Sequence, residues 1–261
     1  TALVTLAATN STLQHTDSAA PYLGRRFYRA EQVTNTVLTG DHFPTTNGEV
    51  VVHVLNHASF LMTWQGKTIY SDAVSAAGPF GNFPKADLML VTHIHGDHFS
   101  ASTLSSIRAA NGIIIAPQAV YNDASMSALR GITGVMTNGA STNLLGLNIQ
   151  AVPAYNPSYH PLGTGNGYVL TLGGKRFFIS GDTGDIPEIR ALPNIDVAFL
   201  CMNLPYTMSI TNAALSVRVF RPKVVYPYHY RNSDNSLSDL VDFKRRVGQD
   251  LGIEVRLRKW Y

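Results

Sequence analysis

Thr92-His93-Ile94-His95-Gly96-Asp97-His98 packs three imidazoles and a carboxylate into one short segment, directly after the apolar run Leu88-Met89-Leu90-Val91. A short apolar run that ends at such a segment reads as a buried strand opening into a loop. On that loop His93 and His95 can point one way while Asp97 and His98 curl round another, so two adjacent cation positions could be served. Imidazole together with carboxylate suits zinc, iron or manganese. Cys201 is the only cysteine, which excludes both a thiolate site and an intramolecular disulfide. A chance His-rich turn is the bland alternative; three histidines and an aspartate at this spacing weigh against it.

Two later stretches repeat the pattern of a strand ending in a ligand. Ser180-Gly181-Asp182-Thr183-Gly184 follows Arg176-Phe177-Phe178-Ile179, placing a carboxylate where a strand opens into a Gly-rich turn. His229 closes the β-branched and aromatic run Pro222-Lys223-Val224-Val225-Tyr226-Pro227-Tyr228-His229-Tyr230. Three strand ends are therefore expected to converge on one rim.

His93-x-His95-x-Asp97-His98 with the later Asp182 and His229 resembles the metallo-β-lactamase superfamily of metal-dependent hydrolases, from about Val51 onward. Within that superfamily, Val54-Leu55-Asn56-His57-Ala58-Ser59-Phe60-Leu61 and Ser71-Asp72 are similar to the branch containing ascorbate-6-phosphate lactonase and N-acyl-phosphatidylethanolamine phospholipase D. So is Leu204-Pro205-Tyr206-Thr207-Met208, with the helix-like residues 212–220 behind it. The resemblance implies a first metal on His93, His95 and a later His, and a second on Asp97, His98 and His229. It also implies that Asp182 bridges the two and that Asp72 is a structural carboxylate beneath them.

The pattern departs at its third motif. Relatives often carry a His soon after a Pro-Ala pair, whereas this chain reads Val152-Pro153-Ala154-Tyr155-Asn156-Pro157-Ser158-Tyr159-His160. Asn156 stands in the expected place, and an amide oxygen is a poor zinc ligand beside imidazole. His160 is the expected substitute, a solvent-facing loop histidine being the alternative. His57 could hydrogen-bond to a ligand and orient it, or simply pack, and is left out of the ligand set. His15, His42 and His53 have no motif around them and are read as surface or satisfied core groups.

The 261 residues, 45% apolar and 14% charged, are enough for a substantial core. With 20 Lys and Arg against 17 Asp and Glu, the composition is not that of a polyanion binder. The one local basic run, Arg256-Leu257-Arg258-Lys259, reads as an edge strand. No run approaches the roughly 18 apolar residues that span a bilayer, so membrane insertion is not expected. Residues 1–8, Thr-Ala-Leu-Val-Thr-Leu-Ala-Ala, could be the trimmed end of a secretory segment but lack a basic leader, and leave the compartment open.

The organisation expected is an extension over residues 1–49 packed on the body, then a catalytic domain over 50–261. Tyr22, Phe27, Tyr28 and Phe43 would supply the aromatic docking surface of the extension. Strands are expected at 51–54, 60–64, 68–70, 88–91 and 113–116, with a helix at 102–111. The second half echoes the first, with strands at 147–152, 168–172, 176–179, 197–200 and 224–226 and helices near 211–220 and 237–251. This alternation fits an α/β fold of the αββα sandwich type, two sheets face to face with helices outside.

Two divalent ions, zinc before manganese or iron, would lower the pKa of bound water from 15.7 toward about 7 and polarise a scissile group. The function implied is hydrolysis of an ester, lactone or phosphodiester bond of a small molecule by metal-bound hydroxide. Asp97 is a candidate to orient or deprotonate the hydroxide. Tyr206 is the first choice, among several tyrosines, to donate to a developing oxyanion. A β-lactamase-type amide hydrolase and a metal-binding protein without turnover are the competing readings. A flavodiiron-type oxidoreductase is disfavoured because those relatives carry Glu where His95 stands, and no basic arm suggests a nuclease. Oligomeric state is not legible.

Overall fold

In the computed structural model, residues 40–261 are described. Residues 1–8 and the aromatic positions Tyr22, Phe27 and Tyr28 lie outside the described residues. Among these residues fourteen strands form two seven-stranded sheets, and in each the strands lie side by side in chain order. The first sheet contains β1 (Asp41–Thr45), β2 (Gly48–Asn56), β3 (Ser59–Trp64), β4 (Lys67–Ser71), β5 (Ala86–Leu90), β6 (Arg108–Ala116) and β7 (Thr133–Val135). The second contains β8 (Ser141–Leu144), β9 (Leu147–Asn156), β10 (His160–Leu172), β11 (Lys175–Ile179), β12 (Val197–Cys201), β13 (Val224–Tyr228) and β14 (Glu254–Val255).

Both sheets follow one plan. Four strands joined by short turns pair antiparallel, and three more are then added in parallel. Parallel neighbours need a crossover, which is where the helices fall. Of these, α1 (Ala101–Ile107) and α2 (Gln118–Asn122) serve the first sheet; α3 (Pro187–Arg190), α4 (Ile210–Phe220) and α5 (Leu240–Val247) serve the second. The chain thus has the α/β sandwich architecture expected from the sequence.

The sheets meet through alternate side chains that are apolar on the inner face. Phe60 of β3 stacks on Phe199 of β12 with ring centroids 4.2 Å apart, and Phe199 in turn stacks on Tyr226 of β13 at 5.0 Å. Both Phe60 and Phe199 are fully buried, each contributing about 1.5–3 kcal/mol by leaving water. α4 turns Ala213, Ala214, Val217 and Phe220 inward, and Ser209 caps its first turn by accepting the Asn212 N–H at 3.2 Å.

Several element boundaries differ from the sequence reading. The helix expected over 102–111 ends at Ile107, because Arg108 turns extended and residues 108–116 join β5 as β6. Periodicity favoured the helix; the open pairing edge of β5 decides for the strand. Gly112 lies in that irregular stretch, where an added Cβ would come within 2.4 Å of the Ala86 carbonyl oxygen. α5 is also shorter than 237–251, starting at the Asp239 cap and stopping at Gly248, which has φ 77°. Residues 41–45, grouped with the extension, form an edge strand of the first sheet, and Phe43 packs in the core against Phe177 and Tyr226.

The basic run at 256–259 is not an edge strand, since β14 ends at Val255. Its arginines instead reach Asp41. Arg258 Nε donates to Asp41 Oδ2 at 2.8 Å, Tyr226 donates its hydroxyl to the same oxygen at 2.7 Å, and Arg256 lies 3.6 Å away. One buried carboxylate so ties β1 to β13 and to the segment beyond β14. Burial alone would raise the Asp41 pKa, but the Arg258 and Tyr226 hydrogen bonds and the two guanidinium charges hold it below the usual carboxylate value.

A depressed native pKa contributes stability above the unfolded-state value of 3.8 that is lost as the pH falls through the carboxylate range. Asp41→Asn is therefore expected to cost about 1–2 kcal/mol at neutral pH, since the Arg258 partner is partly exposed. Urea unfolding at pH about 7 and pH about 3 should show the gap between wild type and variant closing in acid. A gap that is independent of pH would refute the role given to the charge.

Candidate metal centre

The candidate residues collect beyond the carboxyl ends of parallel strands, the usual place for a ligand crevice in such sheets. Asp72 follows β4, residues 93–98 follow β5, Asp182 follows β11 and His229 follows β13. His160 opens β10, brought alongside by its pairing with Asn156 at the end of β9. Gly181 has φ 59°, and a Cβ there would lie 3.0 Å from Thr92 Cβ and from the Asn166 carbonyl oxygen. Only glycine lets the Asp182 turn approach the His-rich loop this closely.

Asp72 fixes that loop from below. Its Oδ1 accepts the Thr92 N–H at 2.8 Å, and its Oδ2 accepts from both Thr92 Oγ1 and His98 Nδ1, each at 2.8 Å. With Nδ1 committed to Asp72, His98 turns its Nε2 into the site. Thr92 Oγ1 sits 3.0 Å from His93 Nδ1, which sets the His93 ring the same way. Thr92 was not singled out in the sequence, where a threonine beside histidines carries no distinctive signal.

Around these rings the donor atoms fall into overlapping groups, each within 4.8 Å: His93, His95 and His160; His93, His98 and Asp182; and His57, Asp97, His98 and His229. His93 Nε2 is 3.1 Å from His95 Nδ1, and His229 Nε2 is 3.0 Å from His98 Nε2. Asp182 lies between, with Oδ1 3.4 Å from both His98 Nε2 and His229 Nε2, and Oδ2 3.5 Å from His160 Nε2. Every candidate ligand named from the sequence is thus gathered in one cluster.

Asn156 is turned elsewhere. Its Nδ2 donates to the Tyr206 carbonyl at 3.1 Å and its Oδ1 accepts the Ser158 N–H at 3.1 Å. The Tyr206 side chain is exposed, its ring edge-on to Tyr159 at 5.1 Å. His57, left out of the ligand set, has its Nε2 3.0 Å from Asp97 Oδ2. Among the described residues the other histidines lie apart: His42 meets Glu49 at 2.8 Å, and His53 packs its ring on Phe83; His15 lies outside the described residues.

The electrostatics match a cation site. Burial pushes the His93 pKa well below its ordinary value and lowers that of His160, keeping both neutral with lone pairs free. Burial also opposes charge on His98, yet Asp182, Asp72 and Asp97 lift it to about 9, so this field attracts a positive charge. Asp182, though buried, and the half-exposed Asp97 stay ionised because imidazoles surround them. Burial pushes the Cys201 thiol up to about 12, which keeps it protonated and out of the donor set.

Divalent ions fit these residues on the structure's own terms. Both ring nitrogens of His160, Nδ1 of His229 and Oδ1 of Asp182 are buried without a hydrogen-bond partner, a costly condition for polar atoms unless something else engages them. Imidazole nitrogens facing each other at about 3 Å repel unless a proton or cation lies between them. A cavity of ≈ 10 Å³ lined by His93, His160 and Asp182 has the size of one water. Neutral imidazoles and carboxylates are the donor types zinc, iron and manganese take.

Residues 51–229 match the family described as the beta-lactamase superfamily domain. A provisionally named metal-dependent hydrolase of Parabacteroides distasonis, solved by crystallography, is 38% identical, with a TM-score of 0.76 over 86% of this chain and 100% of that one. A UPF0173 metal-dependent hydrolase of Pyrococcus abyssi is 30% identical over 79% of this chain and 96% of its own length. A metallo hydrolase of Ignicoccus hospitalis has a TM-score of 0.68 and 25% identity, over 80% and 95% of the two chains. Matched by that family over residues 51–229 and alike in fold to metal-dependent hydrolases of 25–38% identity, the chain belongs to the metallo-β-lactamase superfamily and is a metal-dependent hydrolase.

Proposed function

We propose that the site takes two divalent ions, zinc fitting best, and hydrolyses an ester, lactone or phosphodiester bond of a small molecule. The observation that carries this reading is the sharing of Asp182 between two donor sets. His93, His95 and His160 form one set, and Asp97, His98 and His229 the other. When bound, the ions supply Lewis acidity and acidify water toward neutral pH.

The chain's own groups do the rest. Asp97 is the most exposed of the carboxylates here, with 48% of its side chain open, and its Oδ1 accepts no side-chain hydrogen bond among the described residues. A carboxylate so placed can accept a hydrogen bond from a water and orient it. Tyr206, whose ring packs on Tyr159 next to His160, is the phenol proposed to donate to an oxyanion as it develops. Ile94, Tyr159, Leu162 and Tyr206 are large exposed apolar side chains at or within two residues of the proposed ligands, or packed beside them. That collar suits an organic small molecule and not a polyanion, so nucleic acid is not the proposed partner. No helix among the described residues is long and apolar enough to cross a membrane.

The choice of ester, lactone or phosphodiester over amide rests on the likeness of residues 54–61 and 204–208 to the lactonase and phospholipase branch. A panel of lactones, aryl esters, phosphodiesters and β-lactams separates the two, turnover of β-lactams alone favouring the amide reading. Wild type is expected to carry two metal equivalents by elemental mass spectrometry and His160→Ala about one, with activity lost. Unchanged metal content in His160→Ala would remove His160 from the ligand set.

Tyr206→Phe should lower kcat by about 10²-fold or more with little change in KM, the mark of a donor used only in the transition state. An equal rise in KM with kcat intact would reassign Tyr206 to the pocket wall.

A further inference from the structure

Beside the metal-facing rings, a chain of hydrogen bonds runs from Tyr261 through His57 to Asp97. Tyr261 Oη is 2.8 Å from His57 Nδ1, and His57 Nε2 is 3.0 Å from Asp97 Oδ2. Tyr261 Oη also accepts the Arg231 backbone N–H at 3.3 Å. The phenol ring is held in place, edge-on to Tyr230 at 4.9 Å and beneath the Arg231 guanidinium at 4.2 Å. His57 is equally fixed. Its backbone N–H donates to the Trp260 carbonyl at 3.2 Å, its carbonyl accepts the His229 N–H at 3.1 Å, and its φ is 57°.

Donor and acceptor bookkeeping assigns the tautomer. A phenol that accepts from Arg231 has its own proton free to donate to Nδ1, which leaves the imidazole proton on Nε2, facing the carboxylate. The opposite tautomer sets the Nε2 lone pair against a carboxylate oxygen at 3.0 Å, a repulsive contact. His57 is close enough to His98 and His229 to be counted with them as a ligand. With a proton on Nε2, it is a donor instead.

We infer that Tyr261 and His57 are positioning residues: Tyr261 locks His57 as an Nε2–H donor, and His57 holds the carboxylate of Asp97 in the orientation a ligand of the second metal position needs. The inference rests on reading Asp97, His98 and His229 as one ligand set. Asp97 is the member that needs such help, since half its side chain faces solvent while His98 and His229 are buried. An exposed carboxylate otherwise samples several rotamers, and ordering it on binding costs free energy. Partners one step behind a ligand typically change metal affinity by about 10- to 100-fold when removed.

The test is stepwise cobalt(II) titration of the metal-free protein, read by calorimetry and by the visible d–d spectrum. Wild type, Tyr261→Phe, His57→Gln, His57→Ala and Asp97→Ala are compared, with thermal melts to verify folding. Tyr261→Phe keeps the ring and its packing, so a merely structural role would leave metal binding unmoved. The expected result is a second equivalent weakened about 10-fold or more in Tyr261→Phe and in His57→Ala. The first equivalent should be unaffected, and His57→Gln, whose amide can still donate, should recover part of the loss. A wild-type second equivalent in Tyr261→Phe would overturn the inference. So would a His57→Ala spectrum that has lost a nitrogen ligand, because His57 would then bind the ion directly. A second equivalent insensitive to Asp97→Ala would instead overturn the ligand set on which the inference rests.

Discussion

Asp72 is a buried carboxylate whose burial is made tolerable by three hydrogen bonds, from Thr92 N–H, Thr92 Oγ1 and His98 Nδ1. Its backbone is held as well, the Leu90 carbonyl accepting its N–H and Ser59 donating to its carbonyl. These contacts hold a non-glycine residue at φ 44°, a conformation that costs free energy when nothing enforces it. The return is that β4, β5 and the His-rich loop become one rigid corner. Removing this carboxylate would free the His98 ring and the Thr92 hydroxyl that orients His93, and with them both halves of the metal centre.

The doubled sheet plan explains why ligands so far apart in sequence meet. Each half adds parallel strands to an antiparallel block, so each half offers strand ends that open at the same rim. The first half contributes the loop after β5, and the second contributes the turns after β11 and β13. The packing that aligns them is apolar and lies deep. Phe60, Phe199 and Tyr226 stack across the sheet interface, and Asp41 with Arg258 and Tyr226 fastens the sheets at one edge. Rigidity of the site is therefore inherited from the core, which tolerates little volume change.

The cluster itself works against folding. Both ring nitrogens of His160, Nδ1 of His229 and Oδ1 of Asp182 are buried without a hydrogen-bond partner, which costs free energy until something engages them. A protein carries such a group when a ligand offsets its cost, and binding that offsets it stabilises the folded state in proportion to ligand concentration over Kd.

The chemistry was legible in the sequence because it is dense and local: His93, His95, Asp97 and His98 lie within six consecutive residues, and strand-ending runs precede Asp182 and His229. The sandwich was legible from alternating strand and helix patterns. Boundaries were not, as at Arg108, where the pairing edge of β5 outweighs a helical pattern, and at residues 41–45, which read as extension until β2 pairs with them. His160 could be offered as a replacement for Asn156, but only the β9–β10 hairpin brings it near His93 and turns Asn156 toward Tyr206. Nothing near His57 in the chain points to Tyr261, which lies 204 residues away. Residue type and short spacing determined which chemistry this protein carries. Long-range pairing of strands, which no local pattern encodes, decided which side chains face one another and which hydrogen bond fixes each ring.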